Sequence, residues 1–124
     1  MKYQENLIHK TASGHFVRSK SEALIDWFLY RNNVPFRYES ALQLGEIVFF
    51  PDFTIRHPKT GEQYYWEHLG RMDDPFYVRN SYSKLQTYAS YGIIPTINLI
   101  LTFETVNSPL CTEIVEKIIE YYFL

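Results

Sequence analysis

The sequence predicts an α/β domain, a mixed central sheet flanked by helices, and three observations carry that expectation. A capping signal at Ser19 is followed by an apolar stripe of helical spacing. Two arms rich in aromatic and β-branched residues, 47–55 and 63–69, are joined through a segment holding Pro58 and Gly61. An almost continuously apolar run, 97–103, stands between two further helical patterns. The resulting order is helix, three-strand meander, helix, strand, helix, which lets helices cover both faces of one sheet.

At 124 residues the chain is long enough for one domain with a single core. Residues 1–17 are polar and aperiodic, with Gly14 as a break, and read as an arm or a lead-in from other domains of a longer protein. Residues 18–124 hold the domain. Aromatic content is high at 18%, with 11 Tyr and 9 Phe, which suits a compact sheet or a surface that stacks on ligands. The formal charge of −2 excludes a global basic field, so a nucleic-acid partner would have to meet a local patch. A single cysteine, Cys111, excludes an internal disulfide and a cysteine-built metal site. No run approaches a membrane span and no signal-peptide core opens the chain, so a cytoplasmic location is expected.

The first helix is expected from Ser19 to about Asn33. Ser19 and Glu22 form an S-x-x-E capping box, and Leu24, Ile25, Phe28 and Leu29 form the buried stripe. Glu22 lies at the border of that stripe, which leaves it two roles: a cap, or an acid at the core's edge pointing toward the strands. Val34-Pro35 ends the helix, residues 36–39 read as a short strand, and 41–46 as a connection. Pro51 cannot donate to a ladder, so the next arm lies near an edge there or is bulged. Asp73-Asp74-Pro75 starts a second helix that runs to about Tyr91 and stops at Gly92. Its core stripe is expected to be Val78, Tyr82, Leu85 and Ala89, with Lys84, Tyr88 and Tyr91 on one flank and Gln86 on the other. Run 97–103 reads as an interior strand. Ser108-Pro109 starts a last helix buried through Leu110, Ile114, Val115, Ile118, Ile119 and Tyr122.

The two arms hold an anomaly. If residues 58–61 form the turn loop, His57 faces Glu62, and the same register brings Asp52 directly opposite Glu67. Like charges placed opposite each other destabilise a sheet. Two carboxylates about 5 Å apart repel by roughly 3 kcal/mol at an effective dielectric near 20. A cation, a shared proton or a lysine would make the pair tolerable. A register slip of one residue would put the acids on opposite faces.

With this element order and these acids, the chain resembles the PD-(D/E)xK nuclease superfamily, the restriction-endonuclease-like fold. The carrying stretches are Arg18-Ser19-Lys20-Ser21-Glu22, Pro51-Asp52-Phe53 and Tyr65-Trp66-Glu67-His68-Leu69-Gly70, which look like those of a small prokaryotic branch. The likeness covers residues 17–124. It implies an α-β-β-β-α-β core with an added C-terminal helix. It also implies a divalent metal, Mg²⁺ or Mn²⁺, held by Asp52, Glu67 and the backbone carbonyl of His68, with Glu22 completing the acidic cluster. Leu69 occupies the place where the family carries its lysine, and Lys84, with Tyr88 at i+4, is the best substitute; the bland alternative is a solvated helix lysine. Gln86 with Tyr88 faintly resembles the glutamine–tyrosine element of recombination-type nucleases.

The expectation is therefore a metal-dependent nuclease hydrolysing phosphodiester bonds, with DNA the expected substrate. Glu22, Asp52, Glu67 and Lys84 are the candidate catalytic residues, and Arg18, Lys20, Arg71, Arg79 and Tyr88 the candidate nucleic-acid contacts. A homodimer is a further expectation, since many such nucleases cut two strands as dimers. The alternative is a catalytically silent module of the same fold that docks on DNA or a protein.

Overall fold

A computed structural model of the protein describes residues 7–124. The expected lead-in falls partly outside that range; its described portion carries a two-residue hairpin, β1 (His9–Lys10) with β2 (Phe16–Val17). Helix α1 (Lys20–Arg31) follows, capped by Ser19, whose hydroxyl accepts the Glu22 N–H at 3.1 Å. Then come β3 (Phe36–Tyr38), β4 (Leu42–Leu44), β5 (Ile47–Phe49), β6 (Phe53–Arg56) and β7 (Gln63–Leu69). Helix α2 (Pro75–Ser90), strand β8 (Leu99–Phe103) and helix α3 (Thr112–Phe123) complete the chain. Among the described residues, no helix is long and apolar enough to cross a membrane.

Four strands form the central sheet in the order β3-β6-β7-β8, antiparallel except for the parallel pair β7–β8. The described residues thus form a mixed α/β structure with three helices. The β6–β7 register pairs Phe53 with Trp66 and Ile55 with Tyr64, so one step beyond β6 brings Asp52 opposite Glu67, as expected. The β3–β6 register pairs Tyr38 with Phe53, and the next step sets Glu39 beside Asp52 through a 3.0 Å bond from the Glu39 N–H to the Asp52 carbonyl.

Alternation along these strands divides the side chains between two cores. One face turns Phe53, Ile55, Trp66 and Ile100 toward α1 and α3, where they meet Ile25, Phe28, Leu29, Val115, Ile119 and Phe123. The other face gathers Leu99 with Tyr88 of α2, Ile93 and Leu44, with Tyr65, Leu85 and Leu101 alongside.

Several expectations are corrected. The arm 47–55 is two strands: β5 pairs with β4 in a separate hairpin, and only β6 joins the sheet. Pro51 lacks the N–H that an unbroken ladder would need, and the chain leaves one sheet for the other around it. The connection 41–46 accordingly contains β4. The strand expected from Ile97 begins at Leu99, because Thr96 takes φ 70° and Ile97, 65% exposed, sits in the turn. That strand is also the sheet's edge, covered on both faces but open on one side. Helix α3 begins at Thr112, after Pro109, and turns Val115, Ile119 and Phe123 inward while Ile114 is half exposed. Helix α2 is rolled relative to its expected stripe: Tyr82 and Ala89 face solvent, and Ser81 and Tyr88 are the buried positions.

Candidate active site

The roll of α2 defines the site. Glu67, 1% exposed, projects from β7 onto the α2 face of the sheet. Its Oε1 accepts from Lys84 Nζ at 3.2 Å and its Oε2 from the Tyr88 hydroxyl at 2.6 Å. Lys84 and Tyr88 are one helical turn apart, so a single face of α2 supplies both donors. Had Tyr82 and Ala89 faced the sheet, neither donor would reach the acid. The Lys84 side chain is 29% exposed against 2% for that of Glu67, so its ammonium stands at the mouth of the cluster.

Asp52, 5% exposed, sits on the neighbouring strand position. Its Oδ2 accepts the backbone N–H of His68 at 2.8 Å, which ties the segment after Pro51 to the far end of β7. Burial pushes the Tyr88 phenol well above its ordinary pKa; the Glu67 charge and, more weakly, the Asp52 charge push it the same way. Both carboxylates thus act on one phenol, which stays protonated and remains a donor.

Glu22, 7% exposed, turns its carboxylate back toward the chain entering α1. Its Oε1 accepts the Arg18 N–H at 3.0 Å and the Tyr38 hydroxyl at 2.8 Å. The box closes one residue earlier than expected, on Arg18 rather than Ser19. Burial, then the charge and hydrogen bond of Glu22, raise the Tyr38 pKa, so this phenol too is held protonated.

Glu39 completes the group, and sequence reading did not mark it. It lies just past β3 with φ 50° and is 4% exposed. Its two oxygens hold the Arg18 guanidinium at 2.6 Å from Nε and 3.0 Å from Nη2. That bidentate pairing, the strongest geometry available to arginine, raises the Arg18 pKa further. The signal for Glu39 was its register: Glu39, Asp52 and Glu67 occupy one row across three adjacent strands. Reading residues 36–39 as uniform strand concealed the left-handed residue that turns the side chain toward Arg18.

The expected nucleic-acid contacts divide. Tyr88 is 0% exposed and its hydroxyl is bound to Glu67, so it offers no surface to a polymer. Arg18 is engaged by Glu39 and cannot grip a phosphate in this arrangement. Arg71 is exposed, pairs with Asp74 at 3.0 Å and lies over the Tyr77 ring. Lys20, Arg79 and Gln86 are exposed.

His68 points to the opposite sheet face from Glu67. Its Nδ1 lies 2.8 Å from Thr102 Oγ1, which also accepts the Trp66 indole N–H, and its Nε2 lies 2.5 Å from Glu104. Ser21 donates to the same Glu104 oxygen. With Nδ1 accepting and Nε2 donating, every one of these contacts is satisfied. The imidazole is therefore occupied in joining β7, β8 and α1. A further buried acid, Asp26 on α1, meets His15 at 3.0 Å through Oδ2, while its Oδ1 has no hydrogen-bond partner among the described residues.

A divalent cation is compatible with the cluster in kind. Asp52 and Glu67 offer hard carboxylate oxygens from adjacent strands, the donor type Mg²⁺ selects, and Mg²⁺ is commonly bound by one or two carboxylates with the remaining positions kept by water. Among the described residues no group of three or more His, Cys, Asp or Glu is arranged to hold a metal, so any such site would rest on that pair. A scan against protein-family models, a search of curated proteins and a search of solved structures each returned no match.

Proposed function

We propose that the protein is a metal-dependent nuclease with a restriction-endonuclease-like core, hydrolysing phosphodiester bonds of DNA. The observation that carries this reading is Glu67: a buried carboxylate set across the sheet from a second buried carboxylate and contacted by a lysine from the next helix. A stable fold gains nothing from two opposed buried acids, and charge clusters that strain a fold are concentrated at sites of function.

In this reading Asp52 and Glu67 hold Mg²⁺ or Mn²⁺, with the His68 carbonyl as a further ligand. The bound cation would polarise the phosphoryl oxygen and lower the pKa of an attacking water. The chain's own residues do the rest. The Tyr88 hydroxyl and Lys84 ammonium fix the two Glu67 oxygens in one rotamer. Lys84, at the mouth of the cluster, meets the negative charge that develops on the phosphoryl oxygens and supplies the lysine that Leu69 replaces. The His68 N–H holds Asp52 toward the same position. Glu22 and Glu39, turned toward Arg18 and Tyr38, hold the loop before α1 against the end of the sheet and take no direct part.

The test is cleavage of single- and double-stranded DNA in the presence of Mg²⁺ or Mn²⁺. Cleavage by the wild type that is abolished in Asp52→Ala and Glu67→Gln is the expected result. An inert wild type, or equal cleavage by Asp52→Ala, rejects the reading.

One observation favours a second reading, a silent binding module. Each Glu67 oxygen already has a protein donor, so the lysine and tyrosine offset the carboxylate repulsion without a cation. That reading predicts no thermal stabilisation by Mg²⁺ and DNA binding that survives the loss of both acids.

A further inference from the structure

The α2 face of the sheet continues past the acids into a region lined by no helix among the described residues. Two residues from Asp52 along β6 stands Thr54, and two further on stands Arg56; from Glu67 along β7 the same steps lead to Tyr65 and Gln63. On β3, Arg37 pairs with Thr54 and so shares this face. These side chains, with Ser40 from the loop after β3, line an open groove of about 590 Å³.

Three properties of the groove point to its occupant. The first is charge. Arg37 and Arg56 are exposed diagonal neighbours on adjacent strands, and neither has a carboxylate partner among the described residues. Two like charges set close on one sheet face are unfavourable, as the opposed acids are, and an anion between them removes the penalty. The second is its lining. Thr54, whose hydroxyl accepts from Ser40, and Gln63, whose amide gives one N–H to the Tyr65 hydroxyl, each keep a donor for phosphate oxygens, and the half-buried Tyr65 presents a ring to a base. The third is size and direction. The volume falls in the range of about 300–1,000 Å³ that encloses a small ligand, room for a short run of one strand and too little for a duplex. Its floor is continuous with the row of acids.

We infer that this groove binds one strand of DNA, its phosphates against Arg37 and Arg56, and leads that strand toward Asp52 and Glu67. The direction of threading rests on the nuclease reading; the binding does not. This placement differs from the one expected from sequence: the cationic residues are on the neighbouring strands β3 and β6 of the sheet, while Arg18 is withdrawn into an ion pair.

The experiment separates the two claims. Asp52→Asn protein, chosen so that the probe is not cut, is titrated with fluorescein-labelled single-stranded DNA in EDTA while anisotropy is read. Adding Arg37→Glu and Arg56→Glu should weaken binding by about tenfold or more, and adding Arg37→Gln and Arg56→Gln should flatten the dependence of log Kd on log salt by about 1.4, the loss of two single-strand phosphate contacts. Arg31→Glu, the same charge reversal at one position on the exposed side of α1, should leave Kd unchanged. The glutamine pair also guards against loss of folding, which circular dichroism would report. Binding of the double-arginine variants within about twofold of the parent, an equal loss in Arg31→Glu, or tighter arginine-dependent binding of the duplex would each overturn the groove. Arginine-dependent binding with an inert wild-type enzyme would remove the nuclease reading and leave the groove standing.

Discussion

At the scale of single residues, Glu67 is held by opposing forces. Asp52 raises its energy, while Lys84 and Tyr88 lower it. Carboxylates at the spacing of opposed strand residues, about 5 Å, repel by roughly 3 kcal/mol at an effective dielectric near 20. Removing the Asp52 charge while keeping an oxygen for the His68 N–H should therefore stabilise the metal-free protein. Asp52→Asn is expected to raise Tm, and a gain of about 1 kcal/mol would appear as a shift of about 3–6 °C for a chain of this length. Lys84→Met should lower Tm, since it exposes the same repulsion, and Asp52→Asn should cost less in that background, or gain more, than in the wild type. A double-mutant cycle by calorimetry measures the coupling between Asp52 and Lys84, and additive effects would show that those two charges do not interact. Asp52 and Glu67 were legible in the sequence because a turn fixes register, and register fixes which residues meet. Glu39 was not, because its orientation depends on one left-handed residue at a strand end. Asp26 was not, because an acid on the buried stripe of α1 contradicts the apolar pattern by which that stripe is recognised.

At the scale of elements, α1 and α2 were legible by their caps and the hairpin by its turn, while the start of α3, behind Cys111, which makes no side-chain cap, and the orientation of α2 were not. Val78, Tyr82, Leu85 and Ala89 are the better apolar stripe, but the helix instead turns Tyr88 and Lys84 to the sheet. Specific bonds to a buried carboxylate outweigh a modest difference in apolar burial, and hydrophobic periodicity does not register them. The β4–β5 hairpin was missed for a related reason: each strand has three residues, too few for alternation to be recognised. Its turn depends on Gly45, which has φ 64° and which packs so closely under Tyr91 that an added Cβ would overlap the phenol oxygen. Gly45→Ala should destabilise the protein by about 1–2 kcal/mol from the left-handed backbone alone. Tyr91 is exposed enough to move aside, so Gly45→Ala in a Tyr91→Phe background should recover only a minor part. Urea denaturation of the three variants gives the comparison, and full recovery would place the cost in the steric contact instead.

At the scale of the whole molecule, one sheet separates two cores, and each carries a tyrosine whose phenol donates to a buried glutamate: Tyr38 to Glu22 beside α1, and Tyr88 to Glu67 beneath α2. Both are shifted upward from the ordinary tyrosine pKa, first by burial and then by the adjacent carboxylate; Tyr65 and Tyr122 shift the same way, with burial the main cause. A raised folded-state pKa means that above about pH 10 the unfolded chain loses phenolic protons that the folded chain retains. Unfolding then releases protons, so the stability these groups confer is complete below about pH 10 and declines as pH rises from there toward their folded values. Each phenol that titrates only on unfolding steepens the decline by up to about 1.4 kcal/mol per pH unit. Tyr88→Phe removes one such phenol. It should lower stability at pH 8, where the bond to Glu67 is lost, by about 1.5–3 kcal/mol, and flatten the decline between about pH 10 and 11. Urea denaturation at several pH values, followed by tryptophan fluorescence with tyrosinate absorbance in parallel, reads both effects. Equal slopes for wild type and Tyr88→Phe would mean that the phenol ionises within the folded protein, and that the α2 core admits water and charge where the geometry has it closed.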